Sequence, residues 1–244
     1  MNTNATMEQM KELKLNGMLD CYKAILEQPA HQTPSAHELM AILTQAEYQS
    51  RMHYRTLHYL RNAYLRYPAQ MEEVECSEER NLYKDQLLAL LDCSYIRRAE
   101  NILITGATGC GKSFMACALG NQACIMGHRV LYLNMNKFIE KITIAKLDGS
   151  FVKLLNNLAK IPVIILDDFG LMPLDQNTKL ALLQMLEDRY GKHATIIASQ
   201  LPIGKWYDYL NEPTLADAIM DRIVARASKF ELKGPSLRNK KNTK

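Results

Sequence analysis

Eight consecutive residues, Gly106-Ala107-Thr108-Gly109-Cys110-Gly111-Lys112-Ser113, satisfy G-x-x-x-x-G-K-[ST] at every fixed position. They follow the apolar run Ile102-Leu103-Ile104 and precede Phe114-Met115-Ala116-Cys117-Ala118-Leu119, which reads as a helix. Strand, glycine loop and helix is the context in which this spacing has physical meaning. Glycines let the backbone curl until successive N–H groups converge on phosphate oxygens, and the helix that follows adds the positive end of its dipole. The pattern predicts a nucleotide site from Gly106 to Phe114. Lys112 reaches the β- and γ-phosphates, and Ser113 offers a hydroxyl to Mg²⁺, a hard cation that prefers oxygen.

Such a loop is half of a site. The other half needs a carboxylate at the C-terminal end of a second apolar strand, where ligands of parallel α/β sheets bind. Val163-Ile164-Ile165-Leu166-Asp167-Asp168 supplies it. Asp167 is expected on the metal side and Asp168 beside the attacking water. Paired aspartates after a strand can also cap a helix, but the loop at 106–113 favours the catalytic reading. Many ATPases carry glutamate at the second position; the shorter Asp168 predicts slow basal hydrolysis. A third strand, Thr195-Ile196-Ile197-Ala198, ends in Ser199-Gln200. Gln200 is the first candidate for a polar sensor between the γ-phosphate and the acids, and Ser199 the second; alternatively, both begin a turn before Pro202. The guanine-reading pattern N-K-x-D is absent, because Asn136-Lys137 is followed by Phe138-Ile139. ATP is therefore expected rather than GTP.

Glycine also divides the chain, since none occurs between Gly17 and Gly106. A stretch of that length reads as helical, with Leu39, Ile42 and Leu43, then Leu57, Leu60 and Tyr64, at helical spacing and Pro29, Pro34 and Pro68 as punctuation. This predicts an all-helical N-terminal domain over 1–85. Over 86–234, short β-rich runs (101–105, 130–133, 163–166, 195–198 and 229–232) alternate with longer amphipathic ones. That is the pattern of a parallel sheet sandwiched by helices. Residues 235–244 read as a solvated, flexible basic tail. The expected fold class is α/β, a P-loop NTPase behind a small helical domain.

Hydrophobic residues make up 48% of the chain and charged ones 23%, which excludes disordered and fibrous classes. The longest apolar run, Ile161 to Leu166, is far short of the roughly 20 residues of a bilayer span. The first residues are charged where an export signal would be apolar. A cytoplasmic protein with no membrane partner is expected. The six cysteines form no C-x-x-C pair and no zinc spacing with histidine, so reduced thiols are expected. Cys110, beside the phosphates, is expected to be sensitive to alkylation.

The net charge of +4 conceals an uneven distribution: residues 233–244 hold five basic groups and no acid, leaving −1 for the rest. Between Tyr48 and Tyr67 stand Arg51, Arg55, Arg61 and Arg66 without an acid, followed by Glu72, Glu73, Glu75, Glu78 and Glu79. Arg51 and Arg55 share a helix face, His58 and Arg61 extend it, and Tyr54, Tyr59 and Tyr64 are interleaved. Such a stripe is either a solvated basic face or a contact to duplex DNA, whose phosphates attract cations without sequence readout.

In this order the motifs resemble AAA+ ATPases (ASCE type) of the initiator and helicase-loader group, and the chain is similar to IstB-like transposition helper ATPases along nearly its whole length. The similarity is carried by MKELKLNGML at the start, by AEYQSRMHYRTLHYLRNAYLRYPAQMEE, by Asp-Asp-Phe-Gly at 167–170, by Ser199-Gln200-Leu201-Pro202, by Asp217 to Ile223, and by Glu231 to Arg238. The resemblance implies ATP and Mg²⁺ as cofactors, a homo-oligomer on duplex DNA, and a cognate transposase as partner. The N-terminal domain would serve DNA binding and oligomerisation, with Arg51, Arg55, His58, Arg61 and Arg66 as contacts. Lys141, Lys146 and Lys153 fall where initiator-type relatives carry an extra DNA-contacting helix. Arg222 matches the arginine finger that one subunit lends to its neighbour's ATP site, ahead of Arg226 and Arg189. The other reading pairs these arginines with Asp221, Asp188 or Glu187. Arg238 is either a second nucleotide sensor or a tail contact. No C-terminal helical lid is implied. The runners-up are a DnaC-like helicase loader and, from another class, a metabolic P-loop kinase, which would need an acceptor pocket and an arginine-bearing lid.

Overall fold

A computed structural model describes residues 2–29 and 34–237. The chain forms two compact units that divide between His58 and Tyr59. The first holds helices α1 (Thr3–Glu12) and α2 (Asn16–Leu26) and most of α3 (Ala36–Ala63). Asn2 caps α1 by accepting from Asn4 N, and Ser35 and Glu38 cap α3 reciprocally. Gly17 explains its isolation in a glycine-free region: a Cβ there would stand 2.5 Å from the carbonyl oxygen of Ala46 and 2.6 Å from Ser50 Cβ. Only glycine lets α2 approach α3 this closely.

The second unit begins with segment 59–100, which contains α4 (Lys84–Leu88) and α5 (Ser94–Arg97). The division lies upstream of the boundary at 85 suggested by composition, and packing supplies the reason. Ala63, Ala69, Met71, Leu82 and Tyr95 are buried in the same core as Ile102, Ile104 and helix α6 (Lys112–Ile125). Burying each large apolar side chain there contributes about 1.5–3 kcal/mol, which a glycine count does not register.

Five parallel strands follow: β1 (Asn101–Gly106), β2 (Val130–Asn134), β3 (Val163–Phe169), β4 (Ala194–Ser199) and β5 (Ala227–Leu232), in the order β2-β3-β4-β1-β5. All five match the runs read from the sequence. Ile102 and Ile104 of β1 enter the core shared with α6, while Leu103 enters the opposite one. There it meets helices α7 (Met135–Leu147), α8 (Phe151–Ala159), α9 (Gln176–Arg189), α10 (Trp206–Leu210) and α11 (Pro213–Val224). This period of two buries both faces of the sheet. Because β4 lies between β1 and β3, residues 106, 167–168 and 199–200 end side by side at the C-terminal edge, the binding crevice of such sheets. Among the described residues no helix follows β5, and none is long and apolar enough to cross a membrane.

Candidate functional site

The phosphate loop is shaped by glycines that no other residue could replace. Gly106 has φ 145°, and a Cβ on it would sit 2.2 Å from the Leu232 carbonyl oxygen of the adjacent strand. Gly111, at φ 94°, is the left-handed residue from which α6 starts. Lys112 is 7% exposed and its Nζ donates to Ala107 O at 2.8 Å, so the ammonium lies against its own loop. Ser113 Oγ donates to Asp167 Oδ1 at 2.9 Å. That contact unites the loop with the acidic strand. The Cys110 thiol is fully buried beneath the loop, next to Gly106. This corrects the expectation of an alkylation-sensitive group, because loop curvature turns residue 110 inward.

Asp167 is 1% exposed, and a buried carboxylate is costly unless it is satisfied. Its Oδ1 also accepts from Asp168 N at 2.9 Å, and its Oδ2 accepts from the Tyr132 hydroxyl at 2.5 Å. Burial, then the bond to Asp167, hold that hydroxyl protonated well above its ordinary range. Asp168 lies where β3 and β4 shift register, with φ 59°, a left-handed conformation that aspartate tolerates better than most residues. The irregularity breaks strand alternation, and Asp168 joins its neighbour at one cation: Arg66 Nη1 stands 3.7 Å from Asp167 Oδ2 and 3.5 Å from Asp168 Oδ2. Asn134 Nδ2 donates to the same Asp168 oxygen. The Ser113 hydroxyl and Asp167 carboxylate form an oxygen donor set of the hardness Mg²⁺ prefers, so the residues present fit that ion.

The two sensor candidates separate cleanly. Ser199 Oγ is buried, donates to Phe169 O at 2.6 Å and accepts from Leu201 N at 3.0 Å, so backbone consumes it. Gln200 Oε1 accepts from Thr108 Oγ1 at 2.8 Å and thus reaches the phosphate loop. On the other flank, Arg80 is 5% exposed and donates to the Cys110 carbonyl, while its own carbonyl accepts from Lys233 N at 3.0 Å. Leu237 N donates to Gly109 O at 3.0 Å. Residues 233–237 therefore run along the loop, and of the flexible tail expected over 235–244 the stretch from 238 on lies outside the described residues. Arg238 lies outside the described residues. Tyr132, Asn134 and Arg80 carry no linear signal of their own; the one available hint is a polar Asn134 closing an apolar strand, in register with Asp167.

The profile of the family described as IstB-like ATP binding protein matches residues 8–244. Two insertion-sequence ATP-binding proteins of Sinorhizobium fredii are similar along their length: one is 37% identical over 96% of this chain and 94% of its own, the other 35% identical over all of both. This chain belongs to the IstB-like family of ATP-binding proteins. Its fold is that of AAA+ P-loop proteins: the structure of the DnaC helicase loader superposes with a TM-score of 0.57 at 18% identity, covering 68% of this chain and 98% of that one.

The arginines of this IstB-like protein fall into distinct settings. Arg189 is 1% exposed and its guanidinium is filled by carbonyls, with Nη1 donating to Leu158 O at 3.0 Å and Ile161 O at 2.6 Å, and Nη2 to Ala194 O. It holds the fold and is unavailable to a neighbour. Arg222 pairs with Glu187 at 2.7 Å and Asp221 at 3.0 Å, and its buried Nε has no partner among the described residues. Arg226 is exposed. On α3, Arg55, His58 and Arg61 are exposed, and so are Tyr48, Tyr54 and, just past the helix end, Tyr64. Arg51 donates to Glu47 at 2.7 Å; this acid lies one turn upstream of Arg51, immediately before the acid-free window. Arg66 sits at the acidic pair, beyond the end of α3, and not on the helix stripe. Lys141 and Lys153 are exposed, whereas Lys146 donates to Asn177 at 2.6 Å and lies over the Phe151 ring.

Proposed function

We propose that this protein hydrolyses ATP to ADP and phosphate with Mg²⁺, assembles as a homo-oligomer on duplex DNA and assists an insertion-sequence transposase. The observation that carries the chemistry is the convergence of the phosphate loop, the Ser113–Asp167 contact and the Gln200–Thr108 contact at one edge of the sheet. Near full-length similarity to insertion-sequence ATP-binding proteins supports the transposition setting over helicase loading, for which the likeness is one of fold.

In this reading, loop N–H groups from Gly109 to Ser113 receive the phosphates, and Lys112 leaves Ala107 O for the β- and γ-oxygens. Ser113 and Asp167 would hold Mg²⁺, which neutralises charge developing on the phosphates. Asp168 accepts a hydrogen bond from the attacking water, Gln200 contacts the γ-phosphate, and Arg222 leaves Glu187 to reach the ATP site of an adjacent subunit. Exposed Arg55, His58 and Arg61, with Arg51 and the α7–α8 lysines, face duplex phosphates.

Ultracentrifugation of the protein with duplex DNA, with and without ATP, tests the whole reading. Nucleotide-dependent assembly that disappears in Lys112→Ala is expected; indifference to both ATP and the variant overturns it. For the DNA surface, replacing Arg51, Arg55 and Arg61 by Ala should flatten the slope of log affinity against log salt by roughly 0.9 for each phosphate no longer neutralised. An unchanged slope removes these residues from the interface.

A further inference from the structure

Arg66 is used by nothing in the mechanism above, yet its place is closely defined. Helix α3 ends at Ala63, and Tyr64 takes a left-handed φ of 53°, turning the chain away from the helix axis. Leu65 then packs on α6, its Cδ2 lying 2.9 Å from where a Cβ on Gly120 would be. Tyr67 packs on Phe114 in the first turn of α6, with ring centroids 6.2 Å apart. Between these two anchors Arg66 lies over the Tyr67 ring and presents Nη1 to Asp167 and Asp168 at once. The helix that carries Lys112 and Ser113 thus also fixes Arg66 in front of the acids those residues serve.

We infer that Arg66 is a positioning residue of the ATP site, a clamp on Asp168 and Asp167 that opposes entry of the divalent cation and restrains the water-orienting carboxylate. The inference rests on the Mg·ATP reading of the site. Two adjacent carboxylates repel one another, and a single guanidinium within 3.7 Å of both offsets that repulsion. A divalent cation drawn to Asp167 competes with that positive charge. Asp168 Oδ2 accepts from Asn134 and faces the Arg66 guanidinium at 3.5 Å, and both lower its capacity to accept from water.

The test titrates Mg²⁺ into protein with a fluorescent, non-hydrolysable ATP analogue, for wild type, Arg66→Gln and Arg66→Lys, beside an EDTA control, steady-state turnover and a melting curve. Arg66→Gln should reach half-saturation at about tenfold lower Mg²⁺, the effect of one unit charge a few ångströms away under near-aqueous screening. Its affinity in EDTA should be unchanged, and kcat should rise several-fold at constant KM. Arg66→Lys, which keeps the charge, should stay near wild type. An Mg²⁺ midpoint in Arg66→Gln equal to or above wild type overturns the clamp while leaving the ATPase reading intact. A fall in melting temperature with weaker binding in EDTA assigns Arg66 a structural role and also overturns it. Absence of nucleotide binding by wild type at any Mg²⁺ concentration overturns the ATP reading itself, and the clamp with it.

Discussion

The two ends of the same sheet both bury charge, and they satisfy it differently. At the N-terminal end, Arg189 is enclosed by the carbonyls of Leu158, Ile161 and Ala194, and Asn101 bonds Thr195 N and the carbonyls of Arg222 and Ile223. Every partner is backbone or a fixed hydroxyl at hydrogen-bond distance. At the C-terminal end, Asp167 and Asp168 are bonded mainly by side chains, Ser113, Tyr132 and Asn134, and share the Arg66 cation beyond hydrogen-bond length, while Lys112 rests on a carbonyl of its own loop. Polar groups that complete a fold are saturated by that fold; those that serve a ligand are held by partners a ligand can replace.

Substitutions at the two ends should therefore fail in different measurements. The largest effect is expected for Arg189→Met, which preserves volume but strips donors from three buried carbonyls. A loss of about 4 kcal/mol, or roughly 10 °C in Tm, should appear in thermal melting. Asp167→Asn should reverse that profile, with Tm within about 2 °C of wild type and ATP turnover reduced about 100-fold or more, read by phosphate release. If Asp167→Asn unfolds the protein and Arg189→Met does not, the comparison breaks. Asp168→Glu restores the missing methylene at a left-handed position. Turnover should rise several-fold while Tm falls by a few degrees, about 1 kcal/mol of backbone strain; unchanged turnover would separate Asp168 from the water. The smallest effect concerns thiols. Burial pushes Cys93 up to about 11 and Cys124 up to about 12. Since thiolate is the reactive form, its fraction grows only as pH rises toward those values. Iodoacetamide at pH 8 should label the half-exposed Cys21 and Cys76 and spare Cys93, Cys110 and Cys124, as read by peptide mass mapping.

Most of the convergence at the candidate nucleotide edge was legible in the sequence because its parts are local. Gly106 to Ser113, Asp167-Asp168 and Ser199-Gln200 each close an apolar strand, and strand ends are where a parallel sheet collects function. What remained hidden depends on register or on a turn. Tyr132 and Asn134 become partners of the acids only through pairing of β2 with β3. Arg66 reads as the last member of a basic stripe until Tyr64 turns the chain. Arg80 stands in a run of glutamates whose linear charge conceals its guanidinium under the loop. Gln200 ranks ahead of Ser199 in the sequence, but what separates their settings, a buried Ser199 hydroxyl and a Gln200 that reaches Thr108, needs the fold. The boundary at 85 followed glycine content, whereas compactness follows the apolar contacts of 59–100.

The most direct test of the claim that the C-terminal edge is built for a nucleotide is the shift in Tm on adding ATP and Mg²⁺, measured for wild type beside Lys112→Ala. Ligand at about 100 times its Kd stabilises by about 2.7 kcal/mol, so wild type should rise by roughly 5–10 °C. Lys112→Ala should melt near wild type without nucleotide and show no rise. No rise in wild type, or an equal rise in Lys112→Ala, would contradict the account.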